Sequence, residues 1–138
     1  ANTPQAAVEA VRRGDFAEAY CLWRPLAEQG DAEAQFQLGW LYANGQGLRQ
    51  NPTTAADWWE RAAHAGHPDA DFAIAQAYQK GRGRNKDLKE AVHWMLVASR
   101  NGNDEAQAIV RTMAGKGGGA GGRRGRPVVA RWWLGGAG

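Results

Sequence analysis

The chain is poor in the residues that most often carry chemistry. Cys21 is the single cysteine and Ser99 the single serine among 138 residues. One cysteine closes no internal disulfide and gives a metal no second thiolate. The one serine, Ser99, stands where alanine stands 36 and 72 residues earlier (Ala63, Ala27), a framework position, so it supplies no serine–histidine–acid set with His64, His67 or His93. Uncharged apolar runs such as Trp94–Ala98 fall far short of the ~20 residues a membrane span requires. Acidic residues stop at Glu105, whereas Lys116, Arg123, Arg124, Arg126 and Arg131 follow it. The net charge of +3 therefore conceals a body, residues 1–114, with 12 basic and 14 acidic side chains, a net of −2. The basic character belongs to the C-terminal segment. The sequence opens on Ala1-Asn2-Thr3-Pro4 without a methionine, which would suit the residues after a signal-peptidase cut. Export, for instance to a periplasm, is the expectation, with the cytoplasm as the alternative.

What the chain does have is a repeat. Gly30-Asp31, Gly66-His67 and Gly102-Asn103 are spaced 36 residues apart. The same shift aligns Ala34 with Ala70 and Ala106, Phe36 with Phe72, Leu38 with Ile74 and Val110, and Tyr42 with Tyr78. Gly45 and Gly47 fall on Gly81 and Gly83; Ala19, Ala55 and Ala91 align, as do Leu22, Trp58 and Trp94. Each unit reads as two helices. Phe36, Leu38, Leu41 and Tyr42 share a helical face, with small Ala34 and Gly39 where a neighbour can come close. Pro52 suits a first helical turn, Asp15-x-x-Glu18 and Asp87-x-x-Glu90 have capping-box spacing, and Gly30, Gly66 and Gly102 suit left-handed C-caps. Seven helices are predicted, near 4–13, 16–29, 32–44, 53–65, 69–80, 88–101 and 104–114.

Gly45-Gln46-Gly47 poses a choice between a phosphate cradle and a joint. A dinucleotide loop needs a preceding strand and a third glycine, and a P-loop needs Gly-Lys-Ser/Thr. Neither is present, and the same Gly-x-Gly recurs one unit later. The joint is the reading adopted.

At these residues the chain resembles the Sel-one-like repeat (SLR) family, relatives of the tetratricopeptide (TPR) repeats. The family pattern is carried by Ala34, Phe36, Leu38-Gly39, Tyr42, Gly45-x-Gly47, Ala55, Trp58-Trp59, Ala62-Ala63 and Gly66, and again across 67–102. The first hairpin lacks the Gly-x-Gly loop. In the last unit Ala108 replaces the aromatic and Arg111 the small residue, as befits capping units. The resemblance implies an all-α fold, a right-handed α-solenoid of antiparallel hairpins over 1–114, followed by a Gly/Arg-rich segment, 115–138. It also implies a non-catalytic module that binds proteins or peptides on its concave face, as an adaptor, assembly factor or accessory subunit, often in bacterial envelopes. A cysteine-rich branch of the family has paired cysteines that this chain lacks.

The first helix of each pair is expected to line the groove, and positions that vary while the framework repeats are the recognition candidates. These are Gln37, Trp40 and Asn44, then Ala73, Gln76 and Lys80, then Ile109, Thr112 and Lys116. Trp40 is the sharpest: either a half-exposed binding anchor or a residue packed under the neighbouring hairpin. Trp58 and Trp94 are assigned to the core. The histidines read as capping and surface residues rather than metal ligands: His64 in a last helical turn, His67 as the turn before Pro68. Asp69 and Asp71 lie at a helix start, which the helix dipole explains. No cofactor, metal or catalytic residue is expected.

The segment GKGGGAGGRRGRPVVARWWLGGAG allows three readings: a disordered extension, a tethered docking motif of Arg123, Arg124, Arg126, Arg131, Trp132 and Trp133 whose tryptophans dock on a partner, a membrane surface or the groove, or a nucleic-acid contact through Arg123, Arg124 and Arg126 with the tryptophans stacking on bases. The negative body disfavours nucleic acid. A protein or peptide, such as a subunit of a membrane-associated complex, is the expected partner.

Overall fold

The structure, a computed structural model, describes residues 2–116. Seven helices follow one another: α1 (Thr3–Arg12), α2 (Phe16–Glu28), α3 (Ala32–Asn44), α4 (Pro52–His64), α5 (Pro68–Lys80), α6 (Leu88–Arg100) and α7 (Asp104–Lys116). They match the seven read from the sequence to within a residue or two, α7 running two residues past the expected stop. Among the described residues there is no strand. Each helix packs chiefly on its neighbours in sequence, which makes a solenoid of hairpins. In register with the 36-residue period, α3, α5 and α7 are first helices, and α2, α4 and α6 second helices.

Local chemistry sets the ends. Asn2, Asp15, Asp31, Asn51, His67, Asp87 and Asn103 each accept a backbone N–H in the first turn of the helix they precede. Such a cap is worth about 1 kcal/mol. The capping boxes are only half formed: Asp15 accepts from the Glu18 N–H, but the Glu18 carboxylate turns to Arg13, at 3.1 Å. Gly30, Gly66 and Gly102 take φ of +102°, +87° and +103°, the left-handed conformation that stops each second helix.

The core is built from alanines that let helices close in and tryptophans that fill what is left. Ala19, Ala55, Ala56, Ala62, Ala91 and Ala98 are fully buried, and Trp23, Trp58 and Trp94 are at most 8% exposed. One apolar cluster joins α1 to α4 around Leu38, Leu41 and Trp58; the other joins α4 to α7 around Ile74, Trp94 and Met95. Ile109 is a correction to the sequence reading. It does not face the groove but lies buried in the second cluster, because an isoleucine on this helix gains more from the core than from water.

Asp71 lies in the first turn of α5, as the sequence indicates, but it is also fully buried. Its counterparts in the other first helices are glutamines that donate backwards, Gln35 to the Ala27 carbonyl at 3.0 Å and Gln107 to the Ser99 carbonyl at 3.1 Å. A carboxylate cannot donate. Asp71 instead accepts from Asn101 at 2.8 Å, and its other oxygen has no hydrogen-bond partner. Burial pushes the Asp71 carboxyl up from its ordinary 3.8, while the Asn101 hydrogen bond pulls the other way. The folded state thus holds this proton more tightly than the unfolded one, so the site's penalty is full above the folded value and fades as pH falls towards 3.8. Asp71→Gln is expected to stabilise the protein by about 1–2 kcal/mol at pH 7, the cost of an unpaired buried acceptor. That gain should shrink on acidification; urea unfolding at pH 7 and pH 4.5 checks both parts.

Candidate binding groove

The first helices lie side by side, and the surface they share is an open groove of about 550 Å³. α3 contributes Phe36, Trp40, Ala43 and Asn44; α5 contributes Asp69, Phe72, Ala73 and Gln76; Trp59 of α4 rises between them, and Asn103 and Glu105 close the α7 end. A smaller recess of about 130 Å³ shares Ala43, Trp59, Ala73 and Gln76 and continues to Lys80 and Arg82. The groove therefore has an aromatic floor with two carboxylates at one end and two cations beyond the other.

Trp40 both packs on the neighbouring hairpin and borders the groove. It is half-buried, with its ring 6.1 Å from that of Phe16 on α2, and it also lines the groove. Asn44 is exposed beside it and donates to the Trp40 carbonyl at 2.9 Å. Gln76 is half-buried across the groove, and Lys80 is exposed in the adjoining recess. Gln37 departs from the expectation. It does not border the groove but hydrogen-bonds Glu33 at 2.7 Å one turn back on its own helix.

Phe36, Trp59 and Phe72 form the floor and were read from the sequence as framework alone. They are framework: the Trp59 indole N–H donates to the Phe36 carbonyl at 3.3 Å. A repeat at fixed spacing reveals that a residue packs, but not that one of its edges borders a groove.

Along one margin, unit is latched to unit. Glu33, Asp69 and Glu105 recur every 36 residues near the starts of the first helices. The capping residue of each following helix reaches back to that acid: His67 Nε2 to Glu33 at 2.7 Å, and Asn103 Nδ2 to Asp69 at 2.9 Å. His67 is more than the turn residue expected. Its Nδ1 accepts the Ala70 N–H at 3.1 Å, so Nε2 carries the hydrogen donated to Glu33. Its ring stacks on Phe36 at 4.8 Å. The Glu33 carboxylate raises the His67 pKa against the opposing effect of burial, and the same contact lowers that of Glu33. His64 lies 3.7 Å from Glu60 and meets the Trp94 ring edge-on, as does His93. The described residues hold no group of three or more His, Cys, Asp or Glu able to take a metal. Arg123, Arg124, Arg126, Arg131, Trp132 and Trp133 lie outside the described residues.

Comparison with known proteins bears on the same segments. The Sel1 repeat family model matches residues 32–67 and 68–103. The chain is similar to a Sel1 repeat protein of known structure from Oxalobacter formigenes at 36% identity and a TM-score of 0.68, over 75% of this chain and 80% of that one. It is also similar to a protective antigen of uropathogenic Escherichia coli strains displaying an SLR fold, at 26% identity and a TM-score of 0.72, over 83% of this chain and 26% of that one. Helicobacter pylori cysteine rich protein B shares the fold at 20% identity and a TM-score of 0.66, over 76% of this chain and 90% of that one. No curated protein matches. Among the described residues no helix is long and apolar enough to cross a membrane.

Proposed function

The chain belongs to the Sel1 repeat family, and we propose that it is a non-catalytic module that holds a protein or peptide segment in the groove between α3 and α5, as an adaptor, assembly factor or accessory subunit. Sel1 repeats are in general protein–protein interaction modules. The observation that carries the finer reading is the groove itself. Trp40 and Gln76, the same position in two units, line it together with the aromatics Phe36, Trp59 and Phe72. A rigid aromatic beside an adaptable amide is the composition of a binding anchor. Apolar side chains of the partner would fill the floor of Phe36, Trp59 and Phe72. Basic groups would suit the end at Asp69 and Glu105, and an acidic one the recess at Lys80. The body's net charge of −2 supports a protein partner over nucleic acid. Export, and a partner within a membrane-associated complex, belong to the same proposal; one neighbour's description as a protective antigen of a pathogenic bacterium supports it.

A photo-crosslinking residue placed at Asn44 or at Gln76, in cells of the source, is expected to capture one and the same protein. The same residue at Arg61, exposed on α4, should not. Equal capture from Arg61, or different proteins from the two groove positions, would sink the reading.

A further inference from the structure

α3 and α5 each give one face to the helix that follows. On α3 that face holds Phe36, Gly39 and Tyr42: Gly39 is buried and the aromatics half-buried. Trp59 of α4 comes so close that a Cβ on Gly39 would overlap its indole. On α5 the counterparts Phe72 and Ala75 are buried and Tyr78 half-buried. On α7 the counterparts are Ala108, Arg111 and Ala114, and all three are exposed. No described helix follows α7. The helix has the position of the first half of a hairpin whose second half would come from the residues after Lys116.

Those residues carry the marks of a second half. Residues 45–59, GQGLRQNPTTAADWW, laid against 119–133, GAGGRRGRPVVARWW, match at Gly45/Gly119, Gly47/Gly121, Arg49/Arg123, Ala56/Ala130, Trp58/Trp132 and Trp59/Trp133. The offset is two full periods plus a two-residue lengthening of the loop. Glycines match easily in so glycine-rich a stretch. The weight rests on Ala-x-Trp-Trp, because adjacent tryptophans occur only at these two places in the chain. Residues 45–51 and 81–87 suffice to bring α4 and α6 back along α3 and α5, so the longer stretch 117–126 can return a segment along α7.

The α7 face has also changed to suit. Alanines stand where Phe36 and Tyr42 stand on α3, leaving room for two indoles. Arg111, in the place of Gly39, bars the closest approach but can lie flat on an indole, as Arg61 does over Trp58 at 4.4 Å. Each covered tryptophan buries roughly 150–250 Å².

We propose that residues 127–134 pack against the α7 face of Ala108, Arg111 and Ala114 of the same chain, with Trp132 and Trp133 taking the parts that Trp58 and Trp59 play beside α3. The segment then completes the last hairpin, and its tryptophans are held within the protein rather than presented to a partner. This does not depend on the groove reading.

Hydrogen exchange of the full chain and of its Trp132→Ala/Trp133→Ala variant tests it. Amides of 108–116 should exchange at least tenfold faster in the variant, with α1 to α6 unchanged as the internal control of folding. A Trp132→Phe/Trp133→Phe variant should restore most of the protection. Equal exchange of α7 in the full chain and the Ala variant would overturn the proposal. So would a loss confined to α3 and α5, which would put the segment in the concave groove. Protection of α7 that rises with protein concentration would assign the segment to a second copy and equally overturn it.

Discussion

Gly83→Ala is expected to destabilise the protein by about 3 kcal/mol. Two costs add at this position. Gly83 has φ of +83°, where an L side chain costs roughly 1–2 kcal/mol. A Cβ there would also overlap the Pro52 carbonyl oxygen and lie 2.9 Å from its carbon. That obstacle is the backbone at the start of α4, which cannot rotate aside, and overpacking of this kind costs about 1–3 kcal/mol. Gly66→Ala is the control: its φ is +87°, but nothing lies within 4 Å of the added carbon. It should lose only the conformational part, about 1 kcal/mol. Urea denaturation of both variants measures the difference, and equal losses would mean that the loop does not press on α4.

The comparison also decides what the Gly-x-Gly loop is. A phosphate cradle must present free backbone N–H groups. Here the Gly81 and Arg82 N–H groups both donate to the Ala77 carbonyl, at 2.9 and 3.0 Å, and those of Gly45 and Gln46 to Leu41. The second glycine of each pair presses on the hairpin before it: Gly47 on the backbone of Phe16 and Ala17, Gly83 on that of Pro52. Next to Gly83, Arg84 reaches back to Asp57 at 3.0 Å and Glu60 at 2.7 Å. The motif is a clamp between successive hairpins.

The second large effect is expected at Trp40. Trp40→Ala should weaken partner binding by about thirtyfold or more, the scale of an anchor worth at least 2 kcal/mol. The half-buried ring also packs on Phe16, so the folded state should lose roughly 1–2 kcal/mol of stability while remaining folded. The two roles separate by comparison with Phe16→Ala, which removes the same packing from a residue outside the groove. Phe16→Ala should lower stability similarly and leave affinity within about twofold. Equal losses of affinity in the two variants would show that Trp40 acts through packing alone.

The repeat made most of the fold legible. Helix ends were marked by Asp, Asn and Gly at fixed offsets, and the core by alanines and tryptophans that recur every 36 residues. Seven elements could be placed because local capping and long-range packing agree. What failed were single side chains whose role depends on a neighbouring unit. Ile109 occupies a variable position yet turns to the core, because α6 is there to receive it. Asp71 replaces a glutamine, and only packing shows that it is sealed from water and partnered by Asn101. His67 caps α5 in keeping with the capping role read for the histidines, but its latch to Glu33 is not legible because that partner lies 34 residues away. Variation between units singled out Trp40, Asn44, Gln76 and Lys80, which border the groove or its recess, whereas the recurrence of Phe36 and Phe72 marks packing and does not show that they also border it.

The most direct measurement is an NMR titration of the isotope-labelled full chain with the protein captured by crosslinking. If the groove between α3 and α5 is the working surface, the indole N–H signals of Trp40 and Trp59 and the amides of 36–44 and 69–76 should shift together, saturating at one stoichiometry. Shifts confined to α2, α4 and α6, with the Trp40 indole unmoved, would show that the partner rides on the opposite face and that the groove is not the binding site.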